Sequence, residues 1–253
     1  MKFEEVARIV GKVPLMSPEE GRILYDFIIS TKSQQILELG FAHGTSSCYM
    51  GAALHEQGTG HLITIDNDSA KEREPEIESL LEATGLSSYV TPIYSQTSYS
   101  WELRALLEQH QADGMTQPIF DFCFIDGAHA WEPDGFAFFL VEKLLKPGGW
   151  ILFDDLDWTY ASSPGLRGSE FVRAMPVDYK TTAHIERVWS LLVTQHSNFH
   201  NFRREGRWGW AEKKGETSTQ SRAALDSIYL KQSISADGAR LLKKIVKRIV
   251  RRS

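Results

Sequence analysis

The feature that most constrains the fold is a strand–helix–strand pattern between residues 120 and 157. The apolar runs Phe120–Ile125 and Trp150–Phe153 have the composition of buried strands. Between them, Phe136–Leu145 predicts a helix that ends at a Pro-Gly-Gly turn. Such a crossover is right-handed and makes the two strands parallel, so their carboxyl ends open on one edge of the sheet.

Acidic residues follow both of these strands. Asp126 follows the first strand, Asp154 and Asp155 follow the second, and His129 lies three residues after Asp126. Carboxylates gathered at one edge repel one another unless a cation holds them, and oxygen ligands suit a hard ion such as Mg²⁺. The alternative is that these acids cap the following loop or helix. The pattern favours a divalent-cation site at the edge where open α/β sheets bind their ligands.

Strands and helices alternate along most of the chain. Further strands are predicted at Ile36–Leu39, His61–Ile65 and Tyr89–Tyr94. This alternation predicts a doubly wound, mostly parallel α/β sheet. The helices predicted around these strands are one that starts at the capping box Ser17-Pro18-Glu19-Glu20, then Ser47–Glu56, Ser69–Thr84 and Trp101–His110.

The pattern changes after residue 157. Trp158–Gly168 is predicted to be a loop and Glu170–Met175 a short helix. Val188–Thr194 and Arg207–Glu212 are predicted strands with no helix between them, which favours an antiparallel pair that closes a seven-stranded sheet. Residues 1–215 would then form one domain with a lid or substrate insert near 157–187, and residues 216–253 a C-terminal helical extension.

The charge distribution argues against a nucleic-acid partner. The chain has a formal net charge of −5, but Arg240–Ser253 holds seven Lys and Arg and no acid. In the rest of the chain 21 basic residues face 33 acidic ones, which suits phosphate backbones poorly. The basic tail has its apolar residues on one helical side, so two uses stay open for it: contact with an anionic membrane surface, or packing on a neighbouring subunit.

Neither a membrane span nor a secretory signal is evident. No run of about eighteen apolar residues occurs, and the start MKFEEVARIV carries acids where a signal would be basic and then apolar. We therefore expect a cytoplasmic protein, with peripheral membrane association through residues 240–253 as an alternative. Cys48 and Cys123 fall in a predicted helix and a predicted buried strand, and we expect both to be core thiols.

A glycine-rich turn follows the first strand. In ILELGFAHGTSS, Gly40 and Gly44 precede a helix, where the backbone turns sharply and free N–H groups can meet an anion. Ala42 stands where the dinucleotide fingerprint G-x-G-x-x-G needs its second glycine, which argues against a dehydrogenase. Asp66 ends the next strand and is placed to accept both hydroxyls of a ribose. A nucleoside that carries a carboxylate rather than a pyrophosphate suits this arrangement.

Over residues 16–157 the chain resembles the class I methyltransferases that use S-adenosylmethionine (SAM). The resemblance rests on ILELGFAHG, on ITIDND and on the segment DG…LLKPGGWILFDD. The stretch MSPEEGRILYDFIISTKSQQILELG and the three acids are similar to the cation-dependent O-methyltransferases of the catechol and caffeoyl-CoA type. The motif DGAH…LLKPGG…DD is closer to their bacterial branch. The resemblance therefore implies Mg²⁺-dependent methylation of a hydroxyl of a sugar, a glycan or a related natural product, by a homo-oligomer.

The resemblance also implies roles for individual residues. It implies that the cofactor is bound by Glu38, Gly40, Gly44, Ser46, Asp66, Ser95, Gln96 and Asp126. It implies that the divalent cation is held by Asp126, Asp154 and Asp155. His129 would be the general base, at a position where the catechol-type enzymes have a lysine. Those enzymes also have Asp-Asn where this chain has Asp154-Asp155, so the site here is more negative.

Aromatic residues at the same edge of the sheet are candidates for substrate contacts. Trp131, Trp158 and Tyr160 would form an apolar wall against a ring-shaped acceptor, with Trp158–Gly168 closing over it. Two other functions stay open. One is a metal-independent methyltransferase that acts on nitrogen or on a carboxylate. The other is a non-catalytic cofactor-fold protein that serves as a membrane or assembly module through its tail.

Overall fold

The computed structural model describes residues 1–215, of which Met1–Lys213 form one compact unit. A seven-stranded sheet runs through this unit; the strands are β1 Gln35–Leu39, β2 His61–Asn67, β3 Val90–Ser95, β4 Phe120–Ile125, β5 Leu145–Phe153, β6 Phe199–Glu205 and β7 Trp208–Lys213. The helices are α1 Phe3–Val10, α2 Pro18–Thr31, α3 Thr45–Gln57, α4 Ile77–Thr84, α5 Tyr99–Gln109, α6 Trp131–Leu144, α7 Glu170–Ala174, α8 Val177–Thr181 and α9 His184–Val188. The predicted helical extension and basic tail lie outside the described residues.

The strand order in the sheet is β3-β2-β1-β4-β5-β7-β6. The strands β3, β2, β1, β4 and β5 are parallel to one another. The strand β7 pairs antiparallel with both β5 and β6. This confirms the predicted doubly wound, mostly parallel sheet with an antiparallel closing strand. The order reverses between β1 and β4, and their carboxyl ends therefore flank a crevice of the kind in which α/β sheets bind ligands.

Helices cover both faces of the sheet, so the central strands are apolar on both sides. In β4, Phe122 and Phe124 face the layer of α1 to α4, and Cys123 and Ile125 face the layer of α5, α6 and α9. Cys48 also lies in the first layer, and both cysteines are buried and free, as expected. None of the helices within residues 1–215 is long and apolar enough to cross a bilayer.

The helix start predicted at Ser17 is confirmed. The hydroxyl of Ser17 accepts the backbone N–H of Glu20 at 3.2 Å, and the Glu20 carboxylate accepts the backbone N–H of Ser17 at 2.9 Å. Pro18 opens the helix. The capping box fixes the start of α2, and Glu20 in its first turn lies 3.2 Å from Arg207, a residue of the site described below.

The predicted single helix Ser69–Thr84 is wrong. A 3₁₀ turn at Asp68–Glu72 is followed by a break, and α4 begins only at Ile77. Pro75 lies in the break, and it lacks the N–H that a helix interior needs while its ring clashes with the preceding turn. The charged pattern of the segment concealed this interruption.

The predicted strand Val188–Thr194 is also wrong. The segment is helical, continuing α9 through a π-helical turn at Trp189–Val193, and the strand that pairs with β7 is β6. Val188, Trp189 and Val193 are buried against the sheet. A short apolar run fits a buried helix as well as a buried strand, and here the helix is the outcome.

Candidate active site

The glycine turn after β1 packs directly against the segment that follows β4. Gly40 and Gly44 have φ angles of +88° and +86°, in the left-handed region that favours glycine. A Cβ atom on Gly40 would lie 1.9 Å from the carbonyl oxygen of Asp126, so the close approach itself requires glycine. The N–H of Asp126 in turn donates to the carbonyl of Leu39 at 2.8 Å. The expected cofactor turn and the expected acidic site are therefore adjacent.

Glu38 supports this turn from beneath. Its side chain is fully buried and accepts hydrogen bonds from the hydroxyls of Ser46, Ser47 and Thr64. Burial raises the pKa of the Glu38 carboxyl to about 7, although the three hydroxyl donors act in the opposite direction. Glu38 thus ties the start of α3 to β1 and β2, whereas Ser46 reaches the wall of the cavity described below.

Asp66, at the end of β2, is oriented by the same turn. Its Oδ2 accepts the backbone N–H groups of Phe41 at 3.0 Å and Ala42 at 2.7 Å, and its Oδ1 accepts that of Asn67 at 2.7 Å. The side-chain amide of Asn67 also donates to Oδ1, at 3.0 Å, so each oxygen accepts two hydrogen bonds and the carboxylate is firmly oriented. Asp66 lines the cavity, at the place expected for a ribose contact.

Ser95 and Gln96 lie at the end of β3 and do not line that cavity. Ser95 is buried, with its hydroxyl 2.9 Å from the carbonyl of Ser98 and 2.9 Å from the carboxylate of Glu102. Gln96 is exposed. The structure therefore gives Ser95 a role in the turn that starts α5, and the two expected cofactor contacts lie outside the lining of the cavity.

Asp126, His129 and Asp155 meet at the carboxyl ends of β4 and β5. Nε2 of His129 lies 3.2 Å from Oδ1 of Asp126 and 3.0 Å from Oδ2 of Asp155. One potential ligand atom from each residue lies within 4.8 Å of the others, a grouping that could hold a metal ion. His129 and Asp155 have φ angles of +53° and +57°, a region that few non-glycine residues adopt, although Asp and His do so more often than most.

The two carboxylates control the charge of His129. Burial lowers the pKa of its imidazole, but the hydrogen bonds and charges of Asp126 and Asp155 outweigh burial and raise that pKa to about 10. His129 is therefore charged at neutral pH in this arrangement. The third predicted acid, Asp154, contacts Arg207 instead of His129.

Asp154 lies beside this trio and is paired with Arg207. Its side chain is 1% exposed, and Nε and Nη2 of Arg207 lie 3.0 Å from its two oxygens. Burial, followed by the charge of Asp126, raises the pKa of Asp154 to about 8, while Arg207 acts in the opposite direction. Burial alone would raise the pKa of Asp155, but His129 and Arg207 outweigh burial, and the pKa of Asp155 therefore lies below its ordinary value. The sequence analysis missed Arg207, because nothing local in the hairpin between β6 and β7 marks it.

The loop that carries His129 is anchored by Asp134, a second residue that the sequence analysis missed. Asp134 is buried in the first turn of α6 and accepts the N–H of Ala130 at 2.9 Å and the hydroxyl of Tyr99 at 2.5 Å. Burial is the main cause of a raised pKa for this carboxyl. An acid in the first turn after Ala130, the residue that precedes α6, could have suggested a side chain that caps the helix. Its partner Tyr99 is distant in the sequence, so that contact could not be predicted.

The three predicted aromatic contacts separate into two places. Trp158 lines the cavity, and its ring lies 4.9 Å from that of His129. Tyr160 packs behind Trp158 with a ring separation of 4.8 Å. Trp131 is the first residue of α6 rather than a loop residue, and it lines a separate cleft of about 210 Å³ together with Tyr179 and others.

One cavity of about 660 Å³ joins the glycine turn to the acidic trio. Its polar wall includes Gly40, Ser46, Asp66, Asp126, His129 and Asp155. Its apolar wall includes Leu15, Trp158 and Leu166. The volume is within the range of small-molecule sites, and polar groups converge on it from four strand ends. The arrangement can therefore hold an anionic or nucleoside ligand on one side and a cation or a hydroxyl on the other.

Comparisons with known proteins agree with this geometry. A family described as "Methyltransferase domain" matches residues 37–156. The O-methyltransferase from Bacillus cereus, solved in complex with S-adenosylhomocysteine (SAH), is 19% identical with a TM-score of 0.57, over 84% of this chain and 90% of that one. The O-methyltransferase TomG from Streptomyces achromogenes, involved in tomaymycin synthesis and solved with SAM, is 18% identical with a TM-score of 0.56, over 84% and 89%. The SAH-bound methyltransferase PaMTH1 from Podospora anserina is 16% identical with a TM-score of 0.56, over 83% and 86%.

At these identities the solved structures establish the fold, and no curated protein sequence matches the chain. The family match covers β1 to the end of β5, which carry the glycine turn and all three acids. Together the two findings bear out the resemblance that the sequence shows: residues 37–156 are similar to a methyltransferase domain, and the fold is that of the solved methyltransferases.

Proposed function

We propose that this protein is a class I methyltransferase that transfers the methyl group of SAM to a hydroxyl of a sugar, a glycan or a related natural product, with a divalent cation at the acidic site. The observation that carries the proposal is the shared cavity. Gly40 packs on Asp126, so a cofactor held by the glycine turn would present its reactive end to the acids. Methyl transfer is an in-line displacement and depends on this kind of proximity.

The cofactor assignment is supported by the turn and by the neighbours. Structures with this fold were solved with SAH and with SAM. Gly40, Gly44 and Ser46 would surround the amino-acid part of SAM, and Asp66 would hold the ribose hydroxyls. Glu38 would act through Ser46, since it lies behind the cavity wall. SAM, when bound, supplies an electrophilic methyl group on a sulfonium.

The donor set at the acidic site fits a divalent cation. One oxygen of Asp126 and one of Asp155 lie within 4.8 Å of each other. Two further carboxylates, Glu20 and Asp154, lie next to them in contact with Arg207. These four carboxylates outnumber the cations beside them, Arg207 and charged His129, so the donor set keeps negative charge even when Asp154, whose pKa is raised to about 8, is protonated. We assign the ion to Asp126 and Asp155, because the oxygens of Asp154 are engaged by Arg207. A bound divalent ion lowers the pKa of a hydroxyl and fixes its orientation.

We assign to His129 the role of general base, which accepts the proton of the acceptor hydroxyl. Its Nε2 lies between the two carboxylates and opens into the cavity, within reach of a group bound there. The same carboxylates hold a proton on Nε2 while their charge is uncompensated. The base role therefore requires that their charge be balanced first, which couples cation binding to proton release.

The wall opposite the acids supports an acceptor with a flat or apolar face. Trp158 stacks near His129, and Leu15 and Leu166 are 61% and 40% exposed at the same cavity. Rings with apolar faces and hydroxyl edges, as in sugars and many natural products, suit aromatic walls beside carboxylates. This is consistent with the bacterial branch that the sequence resembles.

A metal-independent methyltransferase is the second candidate, and one observation favours it. Arg207 and His129 already oppose the acids, so the site tolerates its own charge to a considerable extent without an ion. In that case the acids would orient a nitrogen or carboxylate acceptor.

The two candidates are separated by following methyl transfer from labelled SAM to a panel of glycosides and hydroxylated natural products. We expect incorporation at a hydroxyl that requires Mg²⁺ and is abolished by EDTA. His129→Ala should keep the affinity for SAM in calorimetry and lose turnover, whereas Asp66→Asn should lose affinity. Incorporation that is unchanged in EDTA would refute the cation and support the second candidate.

A further inference from the structure

Arg207 links three carboxylates at the edge of the site. Its Nε and Nη2 lie 3.0 Å from the two oxygens of Asp154, and its Nη1 lies 3.0 Å from Oδ1 of Asp155. Its Nη2 also lies 3.2 Å from Oε1 of Glu20. The planar guanidinium suits such shared contacts, since it offers several donors in fixed directions. One side chain thus bridges the start of α2 and the segment after β5.

The backbone holds this guanidinium in place. The carbonyl of Arg207 accepts the N–H of Leu156 at 2.9 Å, so the hairpin residue is paired with the same segment that its side chain contacts. Between these contacts lies Asp155, with its positive φ angle. Its N–H donates to Oδ1 of Asp154 at 2.6 Å. The Asp154-Asp155 turn is therefore held by Arg207 through both backbone and side chain.

These contacts give the two neighbouring aspartates different surroundings. Asp154 is buried, and both of its oxygens face Arg207. Asp155 shares only Oδ1 with Arg207, and its Oδ2 faces His129 and the cavity. Both aspartates line the cavity, but Asp154 serves as the anchor of the guanidinium, whereas Asp155 keeps one oxygen, Oδ2, out of contact with Arg207.

Adjacent buried carboxylates are unfavourable unless a fixed cation opposes them. Arg207 is the cation that touches both members of the pair, and His129 touches Asp155 and Asp126 but not Asp154 in this arrangement. Without Arg207, a bound divalent ion would have to supply the missing charge.

We propose that Arg207 is a positioning residue that compensates the Asp154-Asp155 pair and engages both oxygens of Asp154, so that Asp155 is the member of the pair with an oxygen left for the cation. The inference rests on the proposed function for the identity of the ion, but the coupling between Arg207 and the pair exists without any ion. It predicts that charge at position 154 and charge at position 207 are matched to each other.

A double-mutant cycle tests this coupling through thermal unfolding in EDTA. Arg207→Gln should lower the Tm by roughly 5–10 °C, because it leaves a buried acid unpaired, and Arg207→Lys by less. Arg207→Gln combined with Asp154→Asn should recover at least half of that loss, because the second substitution removes the charge that the first leaves unpaired. The matched control is Arg204→Gln on the same hairpin, whose guanidinium pairs with the exposed Asp157 and which should leave the Tm within about 2 °C.

Mn²⁺ alone provides the second readout. If Arg207 compensates the pair, Mn²⁺ should raise the Tm of Arg207→Gln by more than it raises that of the wild-type protein. Additive losses in the cycle, together with an equal Mn²⁺ effect in both proteins, would overturn the proposal. If Arg207→Gln does not fold, a folded double variant supports the coupling and an unfolded one refutes it. Absence of any Mn²⁺ effect in every variant contradicts the cation of the proposed function and leaves the cycle in EDTA as the separate test of Arg207.

Discussion

The two sides of the cavity are held in place by different forces. On the cofactor side, Gly40 packs against backbone and Glu38 is surrounded by three hydroxyl donors, so the geometry comes from close packing and short-range hydrogen bonds. On the acidic side, Asp126, His129 and Asp155 are held by charges that oppose one another. The first side should therefore be rigid and insensitive to cations, with the pKa of Glu38 near 7 as its own source of pH dependence, and the second should respond to both pH and cations.

The largest effect is expected from Gly40→Ala, which tests the packed side. The added Cβ would meet the Asp126 carbonyl at 1.9 Å in a backbone with positive φ, so we expect a loss of about 3 kcal/mol or more in the free energy of unfolding. SAM binding should be lost with it. Urea denaturation and calorimetry measure the two effects.

Gly58→Ala is the matched control for this substitution. Gly58 also has a positive φ, +70°, but a Cβ there would meet nothing within 4 Å. Gly58→Ala should lower the free energy of unfolding by about 1 kcal/mol, from backbone conformation alone. Equal losses at the two glycines would show that the contact with Asp126 does not determine the packing of the turn.

Asp134→Asn tests whether the acidic side depends on its anchored loop. One of its oxygens accepts from Tyr99 and the other from Ala130, and an amide can replace only one of these acceptors. We expect a loss of about 2 kcal/mol in stability and a larger loss in turnover than in SAM affinity. Glu132→Gln, an exposed neighbour in the same helical turn, should change neither, and a matching effect there would contradict the anchor role.

Trp158→Ala should have a smaller effect, confined to the acceptor. Removing the ring beside His129 should raise the KM for the acceptor roughly tenfold, about 1.4 kcal/mol, with the SAM affinity unchanged. Trp101→Ala, at a tryptophan that is 55% exposed and outside the cavity, is the control. A change in SAM affinity without a change in KM would place Trp158 on the cofactor side instead.

The most gradual effect is the pH dependence of stability without a cation. The folded pKa of His129 is raised to about 10, so its contribution to stability is complete below about pH 6.5 and is lost as the pH rises through 10. The raised pKa of Asp154, about 8, acts with the same sign, since the folded state again binds the proton more tightly. We therefore expect the free energy of unfolding in EDTA to fall between pH 6.5 and 10, and His129→Gln to flatten the upper part of this range.

The same linkage makes cation binding stronger at higher pH. Protons on His129 and Asp154 compete with a cation for the acidic side, so Mn²⁺ affinity should rise between pH 6.5 and 8.5. Calorimetry with Mn²⁺ alone measures this. An affinity that does not change with pH would mean that the ion binds elsewhere.

The cofactor side could be predicted largely from the sequence because its determinants are local. Glycines at 40 and 44, the strand before them and the acid at 66 lie within one strand–turn–helix–strand unit, and the structure keeps their relation. The strand-end acids at 126 and 155 could be predicted to meet for a similar reason, since parallel strands share an edge. The capping box at Ser17 is equally local.

The acidic side could be predicted only in part because its partners are distant in the chain. Arg207 reaches Asp154 from another hairpin, and Tyr99 reaches Asp134 from another helix. Neither contact produces a periodicity or a residue spacing in the sequence from which it could be predicted. The error at Val188–Thr194 has the same origin, because burial against the sheet, and not the local composition, decided between helix and strand.

The central claim is tested most directly by anomalous diffraction from crystals grown with SAM and Mn²⁺. The proposal predicts a manganese peak in contact with Asp126 and Asp155, with Asp154 still paired to Arg207 and the sulfonium in the same cavity. A peak at another place, or SAM bound with no peak between these two aspartates, would contradict it.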